Sequence, residues 1–309
     1  MEKHISVLLN ETISSLNLNE NSIIVDATLG YGGHSSYILE RIDKGYLFAF
    51  DQDSEAIRHS TDRLSKIGTN FTIIKSNFVH LKEELEKHGI EKVDGVLFDL
   101  GVSSPQLDED ERGFSYHKDA KLDMRMNQEQ TLTAYKVVNE YSKEQLAKIF
   151  FEYGEDKFAN NIAKKIVEKR EEKPIETTLE LVEVIKSAVP MKFRLEKHPA
   201  RQIFQAIRIE VNHELDVIAP AINQALELLK VGGRVSVITF HSLEDRIVKN
   251  LFKEKTMIDD RVKGLPNIPE EYLPNYRLVN TKPIEATQEE LENNPRSRSA
   301  KLRVIERIK

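Results

Sequence analysis

The fold is announced by Ile23-Ile24-Val25-Asp26-Ala27-Thr28-Leu29-Gly30-Tyr31-Gly32-Gly33-His34. A short apolar run ends in an acid, glycines follow, and a helical pattern begins at His34. A second apolar run, Tyr46 to Phe50, leads into Asp51-Gln52-Asp53, with Asp51 18 residues beyond Gly33. This is the layout of a nucleotide-type cofactor site at the carboxyl edge of a parallel sheet. Glycines let the backbone approach a ligand, and an acid after the second strand accepts hydrogen bonds from ribose hydroxyls. The loop carries no phosphate-binding lysine. A ligand without phosphates, S-adenosylmethionine, therefore fits it better than ATP or NAD.

Outward from this core the rhythm continues. Ser54 reads as the cap of a helix that buries Ile57 and Leu64, and Asp53 beside it as a further cap. Phe71 to Ile74 reads as a third strand, Leu81 to Lys87 as a short helix, and Val93 to Leu100 as a fourth strand. Strands alternating with helices at this pace imply βαβ units and a parallel sheet. From Pro105 to Ile209 the pattern is helical, with stripes at Phe158, Ile162 and Ile166 and at Leu179, Val182 and Ile185. The α/β pattern then resumes. Leu215, Ile218, Ile222, Leu226 and Leu229 line a helix that Gly232-Gly233 is expected to end. Val235 to Thr239 and Arg303 to Ile308 read as strands, and Leu265 to Pro283, with four prolines, as a long loop. The expected fold is α/β: a class I, Rossmann-like, mostly parallel sheet with flanking helices over 1–104 and 212–309, plus an inserted all-helical domain over 105–211.

Composition narrows the class. With 309 residues, 39% of them hydrophobic and 31% charged, the chain can bury a sizeable core. No apolar stretch is long enough to span a bilayer, and the first residues lack a secretory pattern, so a cytoplasmic setting is expected, with no membrane partner. There is no cysteine, which excludes disulfides, cysteine-ligated zinc and thiol nucleophiles. No convincing metal-ligand cluster stands out. A net charge of −6 disfavours a generic grip on nucleic acid, so any such contact must come from local basic patches.

Several segments carry chemistry-bearing residues. Asp99-Leu-Gly-Val-Ser103-Ser104-Pro105-Gln106 starts at the carboxyl end of the fourth strand, where a carboxylate and backbone carbonyls can face an amine; a capped turn is the plainer reading. Arg112-Gly-Phe114-Ser and Leu122-Asp-Met-Arg125-Met read either as a substrate loop or as a domain junction. Arg201 and Arg208, with Phe204 and Gln205 between them, suit phosphates and bases, while Phe204, Ile207 and Val211 also suit a core face. His241-Ser242 follows a late strand without a nucleophile-elbow sequence, so His241 reads as a substrate contact or a helix cap. Arg296-Ser-Arg298-Ser-Ala-Lys301-Leu-Arg303 is the densest basic run, and its alternation would place the charges on one face.

Taken together, these segments resemble the bacterial RsmH (MraW) family of S-adenosylmethionine-dependent methyltransferases, which act on N4 of a cytidine in 16S rRNA. The resemblance runs nearly end to end. It is most specific at Gly32-Gly33-His34, Asp99 to Gln106, Arg112 to Ser115, Leu122 to Met126, Tyr153-Gly-Glu155 and His241 to Arg246. It implies that Gly32, Gly33, His34, Asp51, Phe78, Asp99 and Gln106 hold the cofactor. It also implies that the helical insertion recognises substrate, with 16S rRNA in the small ribosomal subunit as partner. Gln202-Ile203 departs from the basic residue and threonine common there.

Methyl transfer from a sulfonium is an in-line displacement in which the protein's main task is alignment. Cytosine N4 is a poor nucleophile, and an acceptor for its protons, expected within Asp99, Ser103 and Ser104, would aid it. Phe114 or Tyr116 is the expected stacking partner of the base. Arg112, Phe114, Arg125, Arg201, Arg208, His241, Arg296 and Arg298 are the candidate RNA contacts. Methylation of a DNA amine or a small molecule, and a catalytically silent cofactor-binding module, are the alternative readings.

Overall fold

The structure is a computed structural model that describes residues 6–102, 109–196, 198–262 and 264–309. The chain divides into two compact units, 1–101 with 215–309, and 102–214.

The first unit holds a seven-stranded sheet in the order β3-β2-β1-β4-β5-β7-β6. Its strands are β1 (Ile23–Asp26), β2 (Tyr46–Asp51), β3 (Phe71–Lys75), β4 (Val93–Asp99), β5 (Leu229–Thr239), β6 (Tyr276–Leu278) and β7 (Lys301–Arg307). Strands β1 to β5 pair in parallel, while β7 runs antiparallel to β5 and β6. Helices α1 (Leu9–Ser15), α2 (Gly33–Leu39), α3 (Ser54–Leu64) and α4 (Leu81–Lys87) come from the first half of the unit. The central strands are apolar at successive positions because both faces are covered. Ile24, Leu47, Ala49 and Leu97 pack with Ile38 and Leu64 on one face. Val25, Phe48, Phe50, Val96 and Phe98 pack with Leu81, Leu85 and Ile222 on the other. The chain leaves β1 outward through β2 and β3 and returns to β4 on β1's other side. The crevice outside the carboxyl ends of β1 and β4 is thus the topological switch point, where open α/β sheets bind ligands.

Of the two caps expected before α3, Asp53 is the one that forms, its Oδ1 accepting from Glu55 N at 3.0 Å. Two other features differ from the sequence reading. The helix carrying Ile222 ends at Leu228, and Gly232-Gly233 falls inside β5. There Gly232 takes φ +83° while the register jumps from Leu229 opposite Val93 to Arg234 opposite Gly95. A glycine pair serves such an irregularity as well as it serves a helix end. Within the expected loop, Tyr276–Leu278 adds an edge strand.

The second unit is helical: α5 (Ala134–Glu140), α6 (Lys143–Glu152), α7 (Ala159–Glu172), α8 (Thr178–Ala188), α9 (Met191–Glu196) and α10 (Ala200–Asn212). Capping boxes start α6 at Ser142 and Gln145 and α8 at Thr177 and Glu180. Leu146, Ile149, Ile162, Ile166, Leu181, Ile185, Ile203 and Ile207 fill its core. Leu179 lies on the exposed side of α8, and Leu181 takes the core position expected of it. No helix among the described residues is long and apolar enough to cross a membrane. Helices α11 (Ile218–Leu228), α12 (Ser242–Thr256) and α13 (Gln288–Asn293) belong to the first unit.

Candidate active site

The carboxyl edge of the first unit's sheet gathers acids from three adjacent strands. Asp26 ends β1, 1% exposed, with Oδ2 accepting from Ser35 Oγ at 2.7 Å and Oδ1 from Thr28 N at 3.1 Å. Burial pushes its pKa up. Thr28 in turn accepts from Asp99 N at 2.6 Å, tying the loop after β1 to the end of β4. Asp51 ends β2, and its carboxylate accepts from Gly30 N at 2.8 Å and Asp53 N at 2.9 Å. Burial raises its pKa to about 6 despite those two hydrogen bonds. Asp51 thus shapes the glycine loop from behind, and its remaining lone pairs are what a diol would meet.

The glycines have two different duties. Gly30 and Gly32 take φ +49° and +74°, conformations that suit glycine. Gly33 lets the N-terminal segment come close: a Cβ there would lie 2.0 Å from Ser6 Oγ and 3.3 Å from Ser6 Cβ. The segment Ser6 to Leu8 therefore seats directly on the start of α2. His34, 5% exposed, follows with Nε2 3.0 Å from the Val7 carbonyl oxygen and Nδ1 3.4 Å from Asp99 Oδ2. Burial works against its charge, but the Asp99 and Asp26 carboxylates overcome it and hold the pKa above the ordinary value.

Asp99 is the most telling residue. Its Oδ1 is buried and has no hydrogen-bond partner among the described residues. A buried acceptor left unpaired costs about 1–3 kcal/mol, so the site calls for a donor such as an amine or ammonium. Phe78, after β3, sets its ring edge-on to Phe98 at 5.6 Å and gives the same edge a half-buried apolar wall. His241, beyond β5, caps α12, with Nε2 3.1 Å from Glu244 Oε1. Glu244, itself buried, accepts from Phe240 N and His241 N. The apolar wall with Asp26 and Asp51 fits an adenosine ligand, and the partnerless Asp99 oxygen is left for a reacting amine. Ser103, Ser104 and Gln106 lie outside the described residues.

The other candidate RNA contacts divide by exposure. Phe114 is 5% exposed, inside the second unit's core, so it offers no face to a base. Tyr116 stacks on His198 with ring centroids 4.7 Å apart. Arg112 donates to the Arg125 carbonyl at 2.9 Å. Arg125 pairs with Asp123 at 2.7 Å and donates to the carbonyls of Gln128 and Gln130. Arg208 grips Glu214 through two hydrogen bonds of 2.8 and 2.9 Å. These three arginines build the second unit and present little charge outward. Arg201 is exposed and makes no ion pair among the described residues. Arg296 and Arg298 are exposed on a 3-10 turn, with Ser297 buried between them. Arg303 faces elsewhere, bonded to Asp245 at 2.7 and 3.1 Å, so the basic run does not share one face. The residues absent from the sequence-based site are Ser6, Val7 and Thr28, small or apolar types that carry no chemical signal of their own.

The chain is 56% identical over 310 residues to the ribosomal RNA small subunit methyltransferase H of Exiguobacterium sibiricum, covering 100% of this chain and 99% of that protein. Solved structures with the same coverage include an rRNA methylase from Streptococcus thermophilus, with TM-score 0.45 and 13% identity, over 100% of this chain and 99% of that one. A putative methyltransferase from Streptococcus mutans in complex with SAH gives TM-score 0.44 and 13% identity, over 98% and 99%. The family model described as the MraW methylase family matches residues 1–308, so the chain belongs to that family.

Proposed function

We propose that this chain transfers a methyl group from S-adenosylmethionine to the exocyclic N4 amine of a cytidine in small-subunit rRNA, at the position numbered 1402. Family membership supports methyl transfer, and the name of the Exiguobacterium relative supports the rRNA class. The observation that carries the chemistry is Asp99 Oδ1, a buried carboxylate oxygen with no partner at the carboxyl end of β4.

When bound, S-adenosylmethionine supplies a methyl carbon already made electrophilic by its sulfonium. The protein's own residues align it. Asp51 receives the ribose hydroxyls while Gly30 N and Asp53 N fix its carboxylate. Phe78 walls the adenine. Asp99 Oδ1 accepts a hydrogen bond from the N4 amine, which frees the nitrogen's lone pair from ring conjugation. The same oxygen takes the proton that N4 sheds once the N4–methyl bond has formed, the methyl–sulfur bond has broken and S-adenosylhomocysteine is left. Alignment of this kind accounts for much of the rate of a displacement between bound groups. C5 methylation of cytosine runs through a covalent thiolate adduct, which a chain without cysteine does not form. The base has to leave its stack to reach the edge, at a few kcal/mol. The helical unit is the substrate-recognition part in this reading, with exposed Arg201 as a phosphate contact.

The test is transfer of labelled methyl to small ribosomal subunits that lack the mark, with protein-free 16S rRNA in parallel. Label should enter RNA and be lost in Asp99→Ala while calorimetry still shows S-adenosylhomocysteine binding. Loss of both would place Asp99 in the cofactor site alone. Cofactor binding by the wild type without transfer to either RNA would contradict the proposal.

A further inference from the structure

His34, among the described residues of the sheet edge, is a buried imidazole caught between two acceptors. Its Nε2 lies 3.0 Å from the Val7 carbonyl oxygen, a group with no hydrogen to give. Nε2 must therefore carry a hydrogen. Its Nδ1 lies 3.4 Å from Asp99 Oδ2, an ion-pair distance at the long end of hydrogen bonding. A neutral imidazole with hydrogen on Nε2 would aim a bare lone pair at that carboxylate. Two lone pairs facing each other in a buried site repel, so the pair needs one more proton.

The backbone is built to keep this sandwich closed. Leu8 takes φ +50° with its side chain fully buried, an uncommon conformation for leucine, and its N–H donates to Glu290 Oε1 at 2.7 Å. That bend turns the Val7 carbonyl onto the imidazole. Gly33, with no Cβ, lets Ser6 settle beside it. The charged groups facing the ring are Asp99 from β4 and Asp26 from β1, and the N-terminal segment contributes the Val7 carbonyl. Both carboxylates favour the protonated ring.

We infer that His34 is a positioning residue. It carries hydrogens on both ring nitrogens and clamps Asp99 by Oδ2, so that Oδ1 is left to the reacting amine. The methyl-transfer part of this inference rests on the function proposed above; the protonation state of His34 does not. The roles divide cleanly: Val7 fixes Nε2, Nδ1 fixes Oδ2, and only Oδ1 remains for substrate.

Long-range nitrogen–proton NMR on the full chain, labelled at histidine, reads the ring directly. His34→Gln assigns its signal among the nine histidines. In the wild type both nitrogens of His34 should stay protonated above the ordinary histidine midpoint. In Asp99→Asn, His34 should lose that proton at lower pH. A neutral ring with hydrogen on Nε2 alone at that midpoint, or a titration unchanged by Asp99→Asn, overturns the inference. A second readout is kcat against pH. The wild type should lose rate as His34 deprotonates, and His34→Gln should run at least tenfold slower with that alkaline limb gone. An alkaline limb retained in His34→Gln also overturns the inference. Failure of the wild type to methylate any RNA, with His34 doubly protonated, would instead remove the function proposed above.

Discussion

Lowering the pH should weaken cofactor binding through one group, Asp51. Its carboxylate is raised by burial to about 6, so it is ionised at neutral pH and protonates on mild acidification. A protonated carboxyl has lost acceptor capacity toward ribose hydroxyls. If the ligand engages the ionised form alone, its apparent Kd is multiplied by 1 + 10^(pKa − pH). The factor is near one at pH 7.5 and about ten at pH 5, by proton linkage. The ammonium and carboxylate of S-adenosylhomocysteine do not titrate in this window, so the ligand adds no slope of its own. Titration calorimetry of S-adenosylhomocysteine from about pH 7.5 to 5 measures the factor. Asp51→Asn should bind weakly throughout and show no such slope, because its amide does not titrate. An affinity in the wild type that stays level to pH 5, or a slope retained in Asp51→Asn, would refute the placing of the ribose on Asp51.

Other outcomes follow from the packing. Gly33→Ala puts a Cβ 2.0 Å from Ser6 Oγ and should destabilise the fold by about 1–3 kcal/mol in urea, with partial recovery in Gly33→Ala/Ser6→Gly; equal stability of the single variant and the wild type would contradict the seating of Ser6. Arg208→Ala leaves buried Glu214 without its two-pronged partner and should cost about 3 kcal/mol of stability. Arg201→Ala, on an exposed side chain, should leave stability within about 0.5 kcal/mol but lower the salt slope of RNA binding by about one. The reverse pattern would exchange their roles. Arg303→Ala strands Asp245, whose carboxyl is held below its usual pKa by that arginine against the pull of burial. The pair contributes stability above the ordinary carboxylate range and loses it as pH falls through the lowered pKa. The variant should therefore show a smaller loss of stability on acidification than the wild type, read by thermal melts.

How much of this was legible in the sequence depended on whether a residue's partner is local. The runs Ile23 to Val25, Tyr46 to Phe50 and Val93 to Leu100 announce strands because both of their faces are buried. Asp51 and Asp99 announce themselves as acids at strand ends, which is where the sheet delivers them. Gly232-Gly233 misleads because positive φ is needed at a strand irregularity as well as at a helix end. Charge alone misleads more. Arg112, Arg125 and Arg208 have the composition of an RNA surface, yet carbonyls and carboxylates of their own unit occupy them. The partners of His34 were beyond reach for a different reason. Val7 lies 27 residues away and is brought in by a left-handed leucine that no propensity foretells.

The nucleoside product shows which atom receives the methyl group. Small subunits lacking the modification, treated with the purified chain and S-adenosylmethionine, should be digested to nucleosides and resolved by mass spectrometry against authentic standards. N4-methylated cytidine, formed at one site and absent with Asp99→Ala, is the expected product. Methyl appearing on C5, on a ribose 2′-oxygen or on no nucleoside at all would contradict the assignment of Asp99 Oδ1 to an exocyclic amine.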